Sequence, residues 1–498
     1  MGLKKKILKG GAVLSAGSAA GKILALVRNI IIARILSPDD FGVAATFIVT
    51  LTFLQSLSEV AADKLQVQAK DGDDERFQRV LHLFQLMRGV FAGAVLFALA
   101  GPIANLFGVP EATSSFRILA VIPIMRGLAH LDMRRVQRRM NFKPFVLVDL
   151  VSQSVAVAVA APIALWLEDY RAALWILVIQ TFVYTSTTHL LAERRWSAAF
   201  DASYVARLFA FGWPLMINGF LMFIIMQGDR LVIGATFSPY TLAELGVYSV
   251  AMTLIMTPRQ MLTRVSTSLM LPILSATQDD LPQFTKRYRL CIQLSALIAA
   301  GIGVVFITAG TLLVTWLYGE KYAAVGGFIG WLSAMQTMRI IRTVPAIAGL
   351  ARADSRQLMY TNLARATSLV LLIAVAFAGK PLAWIAAAGF AGELVALTVA
   401  TAIMANKHGL QAWATAGPTF ASFASLGVAG GMVMFGADDH GVLMIGAATA
   451  IAGVFALIVQ IAPFREMREL LLNDGLHVIT TLKQMRGPKG NAPAAPTP

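Results

Sequence analysis

Cysteine is almost missing: Cys291 stands alone in 498 residues. No internal disulfide can form, and a thiolate metal cage has no second sulfur to use. The six histidines are scattered without metal-ligand spacing, so neither a metal nor another cofactor is expected. Charge is sparse, 14% of residues against about 25% in soluble domains. Acids are the scarcer sign, 27 Asp and Glu against 42 Lys and Arg, which leaves a net charge of +15. No stretch alternates like the strands of a membrane barrel. A phosphate-binding loop is missing too: AGSAAGKI at 16–23 lacks the first Gly and the closing Ser or Thr, and no strand precedes it.

Long apolar runs fill the space. Hydrophobic residues make up 57% of the chain and the mean hydropathy is +0.69. Repeated apolar stretches of about 20 residues predict an all-α polytopic membrane protein. Fourteen spans are expected, at 11–36, 41–62, 80–101, 112–133, 144–167, 171–192, 205–236, 245–275, 289–314, 325–350, 358–378, 383–405, 418–436 and 441–463. Lys4-Lys5-Lys6 before an apolar run imitates a signal peptide, but Lys22 and Arg28 interrupt that run, so it reads as a first, uncleaved span.

Loop charge predicts the orientation. With the N-terminus inside, the inner side receives Lys4–Lys9, the 63–79 loop, Arg134–Arg139, Arg194-Arg195, Lys286–Arg289, Arg352, Arg356, Lys407 and the tail. The outer loops hold only Arg171, Lys321 and Lys380. Both termini are therefore expected in the cytoplasm. The basic balance follows from topology and gives no argument for nucleic acid as a partner. FREMRELL after 463 reads as an interfacial helix, and GPKGNAPAAPTP as a disordered end.

The remaining cations lie inside spans: Lys22, Arg28, Arg34, Arg88, Arg117, Arg126, Arg230, Arg259, Arg264, Arg339, Arg342 and Arg365. Acids there are only Glu59, Asp149, Asp229 and Glu393. A cation at mid-bilayer costs about 2.5–3.5 kcal/mol on insertion scales, so each needs a wet cavity, a partner or an anionic guest. Lys22 lies about 16 Å from the inner end at about 1.5 Å per residue, too deep to snorkel. Arg126, Arg259 and Arg339 are also deep. Gly17, Gly21, Ala25 and Arg28 share one helical stripe, with Lys22 about 120° away from Arg28. The small residues suit close helix approach. Asp229 is a candidate cation or proton site, or a local partner for an arginine.

Internal symmetry is weak but present. ARILSPDDFGV at 33–43 and GATFSPYTLAELGV at 234–247 both run from a small residue through Ser-Pro to Gly-Val and a new apolar run. Repeats of this kind are expected of secondary transporters.

These stretches, with DRLVIG at 229–234 and RRVQRRMNF at 134–142, resemble the polysaccharide transporter family. Its members are flippases for lipid-linked oligosaccharides within the multidrug/oligosaccharidyl-lipid/polysaccharide exporter superfamily. The resemblance covers most of residues 10–405. It implies two pseudo-symmetric six-helix lobes around a central cavity, at 1–200 and 201–410, an extra helix pair at 411–464 and a cytoplasmic tail at 465–498. It also implies no enzymatic activity. The implied task is to carry an undecaprenyl-pyrophosphate-linked repeat unit to the periplasmic leaflet of a bacterial inner membrane, for exopolysaccharide or lipopolysaccharide biosynthesis. A polymerase and glycosyltransferases would be partners.

The first segment is similar to that of lipid II flippases, whose basic first helix binds the substrate diphosphate. Lys22 and Arg28 fall on matching positions, with Lys where the family has Arg. Arg259 or Arg264 is the implied counterpart from the other half, and Arg126, Arg339 and Arg342 are secondary cavity cations. Asp229 and Asn362 could correspond to a sodium site, although Ala366 stands where its second acid would be. Two alternatives remain open at this point. A cation-coupled multidrug exporter of the same superfamily would want an anionic cavity. A membrane glycosyltransferase or ligase would want a large outer loop.

Overall fold

The computed structural model describes residues 3–58, 62–436 and 441–469. Glu59, residues 437–440 and those beyond 469 lie outside the described residues. The first half of the chain, termed the first lobe below, holds α1 (Leu3–Ile35), α2 (Pro38–Ser58), α3 (Ala62–Gln68), α4 (Glu75–Leu106), α5 (Thr113–Leu119), α6 (Val121–Gly127), α7 (Asp132–Arg138), α8 (Lys143–Leu167) and α9 (Arg171–Leu190). The second holds α10 (Ala202–Gly234), α11 (Leu242–Ser275), α12 (Leu281–Thr308), α13 (Gly310–Tyr318), α14 (Ile329–Ala351), α15 (Ser355–Phe377) and α16 (Leu382–His408). Then come α17 (Trp413–Met434), α18 (Val442–Ile461) and the short α19 (Arg465–Glu469). No strand occurs among the described residues.

A helix or helix pair lies on each of the fourteen expected spans. Eight of the described helices are long and apolar enough to cross a membrane, or nine if one bent pair counts as a span. That pair covers the expected 112–133 span, which does not continue straight: Pro110–Gly127 and Asp132–Arg138 meet at 47°. Helices α2, α9, α11, α14 and α17 fall short of that test; α9, α11 and α14 carry Gln180, Arg264 and Arg339.

Between helices in lipid the hydrophobic drive is absent, and close packing of small residues replaces it. In α8, Ala156, Ala160 and Ala164 form a fully buried stripe one turn apart. The stripe on α1 behaves as its composition predicts. A Cβ on Gly17 would lie 2.1 Å from Val146 Cγ1, and one on Gly21 2.5 Å from Asp149 Oδ2. The extra helices α17 and α18 pack on α12.

The two lobes meet at the end poor in basic residues, where the internal repeat takes physical form. Ser37 Oγ accepts from Asp40 N (3.1 Å) and caps α2. Thr241 Oγ1 accepts from Glu244 N (3.2 Å), while Glu244 Oε2 accepts from Thr241 N (2.8 Å), a capping box on α11. The equivalent residues are thus Ser37 and Thr241, not the two Ser-Pro pairs, because the second loop is longer. Five residues after each cap stands a glycine, Gly42 and Gly246. Helix α2 packs along α11 through them.

The C-terminal carbonyls of α1, left over by its own hydrogen bonding, are also satisfied from the second lobe. Lys321 Nζ donates to Arg34 O (2.9 Å) and Leu36 O (2.5 Å), and Tyr322 Oη to Ala33 O (3.2 Å). Around them Ile32, Leu36 and Phe41 pack with Tyr248, Tyr318 and Tyr322 in one apolar cluster. The opposite end carries Arg134–Arg139, Arg194-Arg195 and Lys286–Arg289 and is the basic end.

Candidate functional site

A cavity of about 690 Å³ lies in the first lobe, between the middle of α1 and the short helices α3 and α7 at the basic end. Lys22 from α1, Arg126 from α6, Arg134 from α7 and Arg264 from α11 line it, with Asp149 of α8 as the one lining acid among the described residues. Gln153, Gln180, Thr181 and Tyr184 supply neutral hydrogen-bonding groups.

Local packing aims these cations. A Cβ on Gly89 would lie 2.5 Å from Pro123 O, so α4 and α6 are in backbone contact there. Gln85 Nε2 donates to Arg126 O (2.8 Å) and fixes the end of α6. The Arg126 guanidinium then lies over the Tyr184 ring (5.7 Å), and that of Arg134 over Phe145 (4.8 Å). Cation–π contacts hold a charge without cancelling it. Arg28 does not line this cavity. It donates to Gln180, itself a lining residue, and to Asn29 Oδ1 (3.3 Å). The angle between Lys22 and Arg28 on the helix predicts this separation.

The other deep arginines gather in the second lobe. Glu393 of α16 is wholly buried, and both its oxygens are taken. Arg339 Nε is 2.6 Å from Oε1 and Arg342 Nε 3.1 Å from Oε2, both from α14. Arg365 of α15 adds a third ion pair on Oε1 and donates from Nη2 to Ile225 O (3.3 Å). Arg259 of α11 lies within the field of this group, and its Nε has no hydrogen-bond partner among the described residues. Arg339 and Arg342 are therefore neutralised in part by Glu393. Of the two α11 candidates, Arg264 faces the first-lobe cavity and Arg259 does not.

Asp229 and Asn362 do not come together. Tyr248 Oη donates to Asp229 Oδ2 (2.7 Å), and Arg230 N to Oδ1 (2.8 Å). Asn362 Nδ2 lies instead 3.8 Å from Met222 Sδ. Residue 222 is about two turns of α10 from Asp229, roughly 10 Å at about 1.5 Å per residue. No group of three or more His, Cys, Asp or Glu side chains suited to a metal occurs among the described residues.

The structure thus brings together Lys22, Arg126 and Arg264 and adds Arg134, Asp149 and Gln180. It joins Arg339 and Arg342 to Arg365 and Glu393 elsewhere. Asp149, Glu393 and Arg365 were visible in the sequence as charges inside spans, but nothing in their spacing said which partners they take.

Residues 31–326 match the family described as "Polysaccharide biosynthesis protein". The chain is 27% identical over 333 residues to the succinoglycan biosynthesis transport protein ExoT of Rhizobium meliloti, a stretch covering 65% of this chain and 64% of that protein. It is 25% identical over 167 residues to the stage V sporulation protein B of Bacillus subtilis, covering 32% of each. The match thus spans less than two thirds of either relative. Among solved structures, the lipid II flippase MurJ in an inward closed conformation superposes with a TM-score of 0.71 at 12% identity, over 93% of this chain and 99% of that one. An inward-facing multidrug resistance MATE family transporter of the MOP superfamily gives 0.64 at 11% identity, over 76% and 92%. With more than half of its length matching that description, the chain belongs to the polysaccharide biosynthesis protein family and is a multi-pass helical membrane protein with the fold shared by MurJ and the MATE transporters.

Proposed function

We propose that this chain is a bacterial inner-membrane flippase. It moves an undecaprenyl-pyrophosphate-linked oligosaccharide from the cytoplasmic to the periplasmic leaflet by alternating access, for exopolysaccharide or lipopolysaccharide biosynthesis. Glycosyltransferases would supply the unit and a polymerase would receive it. The basic end is the cytoplasmic one by the positive-inside rule, which puts both termini inside. The working units are the lobes 1–200 and 201–410, the helix pair 411–464 and the tail 465–498.

The observation that carries this reading is the meeting of Lys22 from the first half and Arg264 from the second in one cavity with Arg126. A diphosphate carries about two negative charges, and guanidinium groups bind it as bidentate forks while an ammonium acts as a point charge. A cavity of about 690 Å³ is within the range of small-molecule sites, enough for the diphosphate and the adjoining sugar. The relative named for succinoglycan transport favours the exopolysaccharide assignment. The surplus of cations argues against an exporter of cationic drugs.

The test is flipping of a fluorescent undecaprenyl-pyrophosphate oligosaccharide in proteoliposomes. Wild type should move it, and the folded Lys22→Gln/Arg264→Gln variant should lose most of that rate. An unchanged rate in the double variant would place the phosphates elsewhere.

A further inference from the structure

We infer that His82 and His130 form a proton-sensitive latch at the basic end. Neutral, the two imidazoles hold the break between α6 and α7 and the connection between the halves of the chain. Protonated, they release both. The latch stands on main-chain geometry, and on the proposed diphosphate site only for what it controls.

A helix that breaks at membrane depth frees main-chain groups, and neighbouring side chains must take them up. Here α4 and α9 supply those side chains. Gln85 Nε2 donates to Arg126 O (2.8 Å) and Ala129 O (3.2 Å), and Thr185 Oγ1 to Met125 O (3.0 Å). Thr188 Oγ1 accepts from His130 N (2.9 Å). Histidines take the groups that follow. His189 Nε2 donates to Leu128 O (2.9 Å), Leu131 N donates to His82 Nε2 (3.2 Å), and Asp132 N donates to His130 Nδ1 (3.0 Å). Three of the six histidines thus meet on the stretch 128–132.

The direction of these bonds fixes the protonation. A main-chain N–H can only donate, so His82 Nε2 and His130 Nδ1 each present a lone pair, and each ring is neutral. The proton of His82 sits on Nδ1, which donates to Ser197 O (3.1 Å). Ser197 belongs to the connection between α9 and α10. There Trp196 stacks on the His82 ring (5.5 Å) and Glu193 N donates to Asp132 Oδ2 (2.8 Å). A second proton on either ring would set two donors against each other. His189 differs, because its partner is a carbonyl and a second proton leaves that bond intact. The charged or titratable groups around the two rings are Asp132 and Arg135 from α7, His189 from α9, and Glu193 with the Arg194 main chain from the connection. Asp132 already pairs with Arg135 (2.6 Å) and accepts from Gln78 (3.3 Å). The His82 and His130 rings lie 4.7 Å apart and would repel if both were charged.

Arg126 lies in the last turn of α6 and Arg134 in the first turn of α7, on either side of the break, and both line the cavity. Protons entering from the basic end therefore loosen two cavity cations and the connection between the halves together. By linkage, release of the latch takes up a proton, and acid favours the released state.

The test uses the full-length protein in detergent, in a Cys291→Ser background, with spin labels at Lys143→Cys on α8 and Arg195→Cys in the connection. Lowering the pH from about 7.5 to about 5.5 crosses the range in which histidine titrates. The distance distribution from double electron–electron resonance should lengthen or broaden. His82→Gln/His130→Asn keeps an acceptor at both positions without a titrating ring, and an Asn at 130 can close the same turn onto Asp132 N. This variant should show the distance of the neutral protein at both pH values. Farnesyl pyrophosphate, with farnesol as the uncharged control, reads the cavity. Its affinity should fall on acidification by on the order of tenfold more in the protein with both histidines than in the variant, and the ligand's own titration is common to the two. Where the double variant does not fold, His130→Asn alone should remove part of the distance change. An unchanged distance between the two pH values, or an equal change in the folded variant, overturns the latch. A distance change with equal loss of affinity in both proteins overturns its control of the cavity. Failure to prefer the pyrophosphate over farnesol at neutral pH overturns the diphosphate site and leaves the distance result standing.

Discussion

Gly42 and Gly246 touch reciprocally across the lobe interface. A Cβ on Gly42 would lie 2.0 Å from Leu242 O, and one on Gly246 2.1 Å from Pro38 O. Pro38 and Leu242 are the first residues of α2 and α11, each four positions before its own glycine. The same relation in both directions is what an approximate two-fold between the lobes requires. It brings the two halves together at the end away from the basic loops, whereas residues of α3 and α7 line the cavity.

Adding a side chain here should open that end. No L-residue tolerates a Cβ 2 Å from a carbonyl oxygen, and overpacking of this kind costs about 1–3 kcal/mol when the backbone shifts. Gly42→Val or Gly246→Val should separate the lobes. Spin labels at Asp169→Cys and Lys380→Cys, in a Cys291→Ser background, should report a longer mean distance by double electron–electron resonance. An unchanged distance would mean that this contact does not set the closed state.

Glu393 should be the least replaceable acid in the second lobe. Three guanidinium groups converge on it while it is wholly buried. Removing one partner of a buried ion pair costs about 3–5 kcal/mol, because the opposite charge stays behind. Glu393→Gln should lower the melting temperature in detergent sharply. Pairing it with Arg365→Met should recover part of the loss by removing one stranded cation. A larger loss in the pair than in Glu393→Gln would show that Arg365 is held by other contacts.

Much of the fold was legible because it depends on periodicity and composition. The apolar runs gave the helices, and the small stripe of Gly17 and Gly21 gave a close helix approach, though not that α8 is the helix that makes it. The Gly-Val repeat gave the internal symmetry, but not that its two glycines meet. Side-chain destinations were less legible. Arg259 and Arg264 are five residues apart on one helix, which turns them about 140° from each other, but the sequence does not say which face meets which lobe. The pairing of Arg339, Arg342 and Arg365 with Glu393 joins three helices and depends on how each is rotated. No spacing within one helix encodes that. The bend after Gly127 also escaped, since the apolar run continues through it.

Asp354, between α14 and α15, should give the molten range of the second lobe an acid limit. Lys407 Nζ (2.7 Å) and His408 Nε2 (3.0 Å) both reach its Oδ2. The Lys407 hydrogen bond is the main cause that holds its carboxyl below the usual carboxylate range. A depressed folded value means stabilisation that is complete above the unfolded pKa of about 3.9 and is lost as pH falls through the folded value. Thermal unfolding in detergent should therefore show a drop in midpoint on acidification below about pH 4. Asp354→Asn should lower the midpoint at neutral pH and flatten that drop. An identical acid limb in the variant would assign it to other carboxylates.

The two arginines of α11 provide the sharpest separation between a substrate charge and a structural one. Arg264 lines the first-lobe cavity with Lys22, whereas Arg259 lies within the field of the Glu393 group. If the cavity holds the diphosphate, loss of a charged hydrogen bond at Arg264 should cost about 1.5–3 kcal/mol of binding, roughly tenfold to a hundredfold in affinity. Arg264→Gln should raise the apparent KM for the fluorescent undecaprenyl-pyrophosphate oligosaccharide and leave thermal stability near wild type. Arg264→Lys should recover part of the affinity, because a point charge replaces a fork. Arg259→Gln should change KM little, since it removes one of several like charges around Glu393 and no cavity contact. Lys22→Arg should function, Lys22→Gln should fail, and Arg34→Gln should be tolerated, because Arg34 donates to Trp316 O (2.8 Å) far from the cavity. Arg28→Gln should act indirectly, by freeing Gln180. A KM effect at Arg259 equal to that at Arg264 would move the substrate's charge to the second lobe and make the first-lobe cavity a passage instead of the binding site.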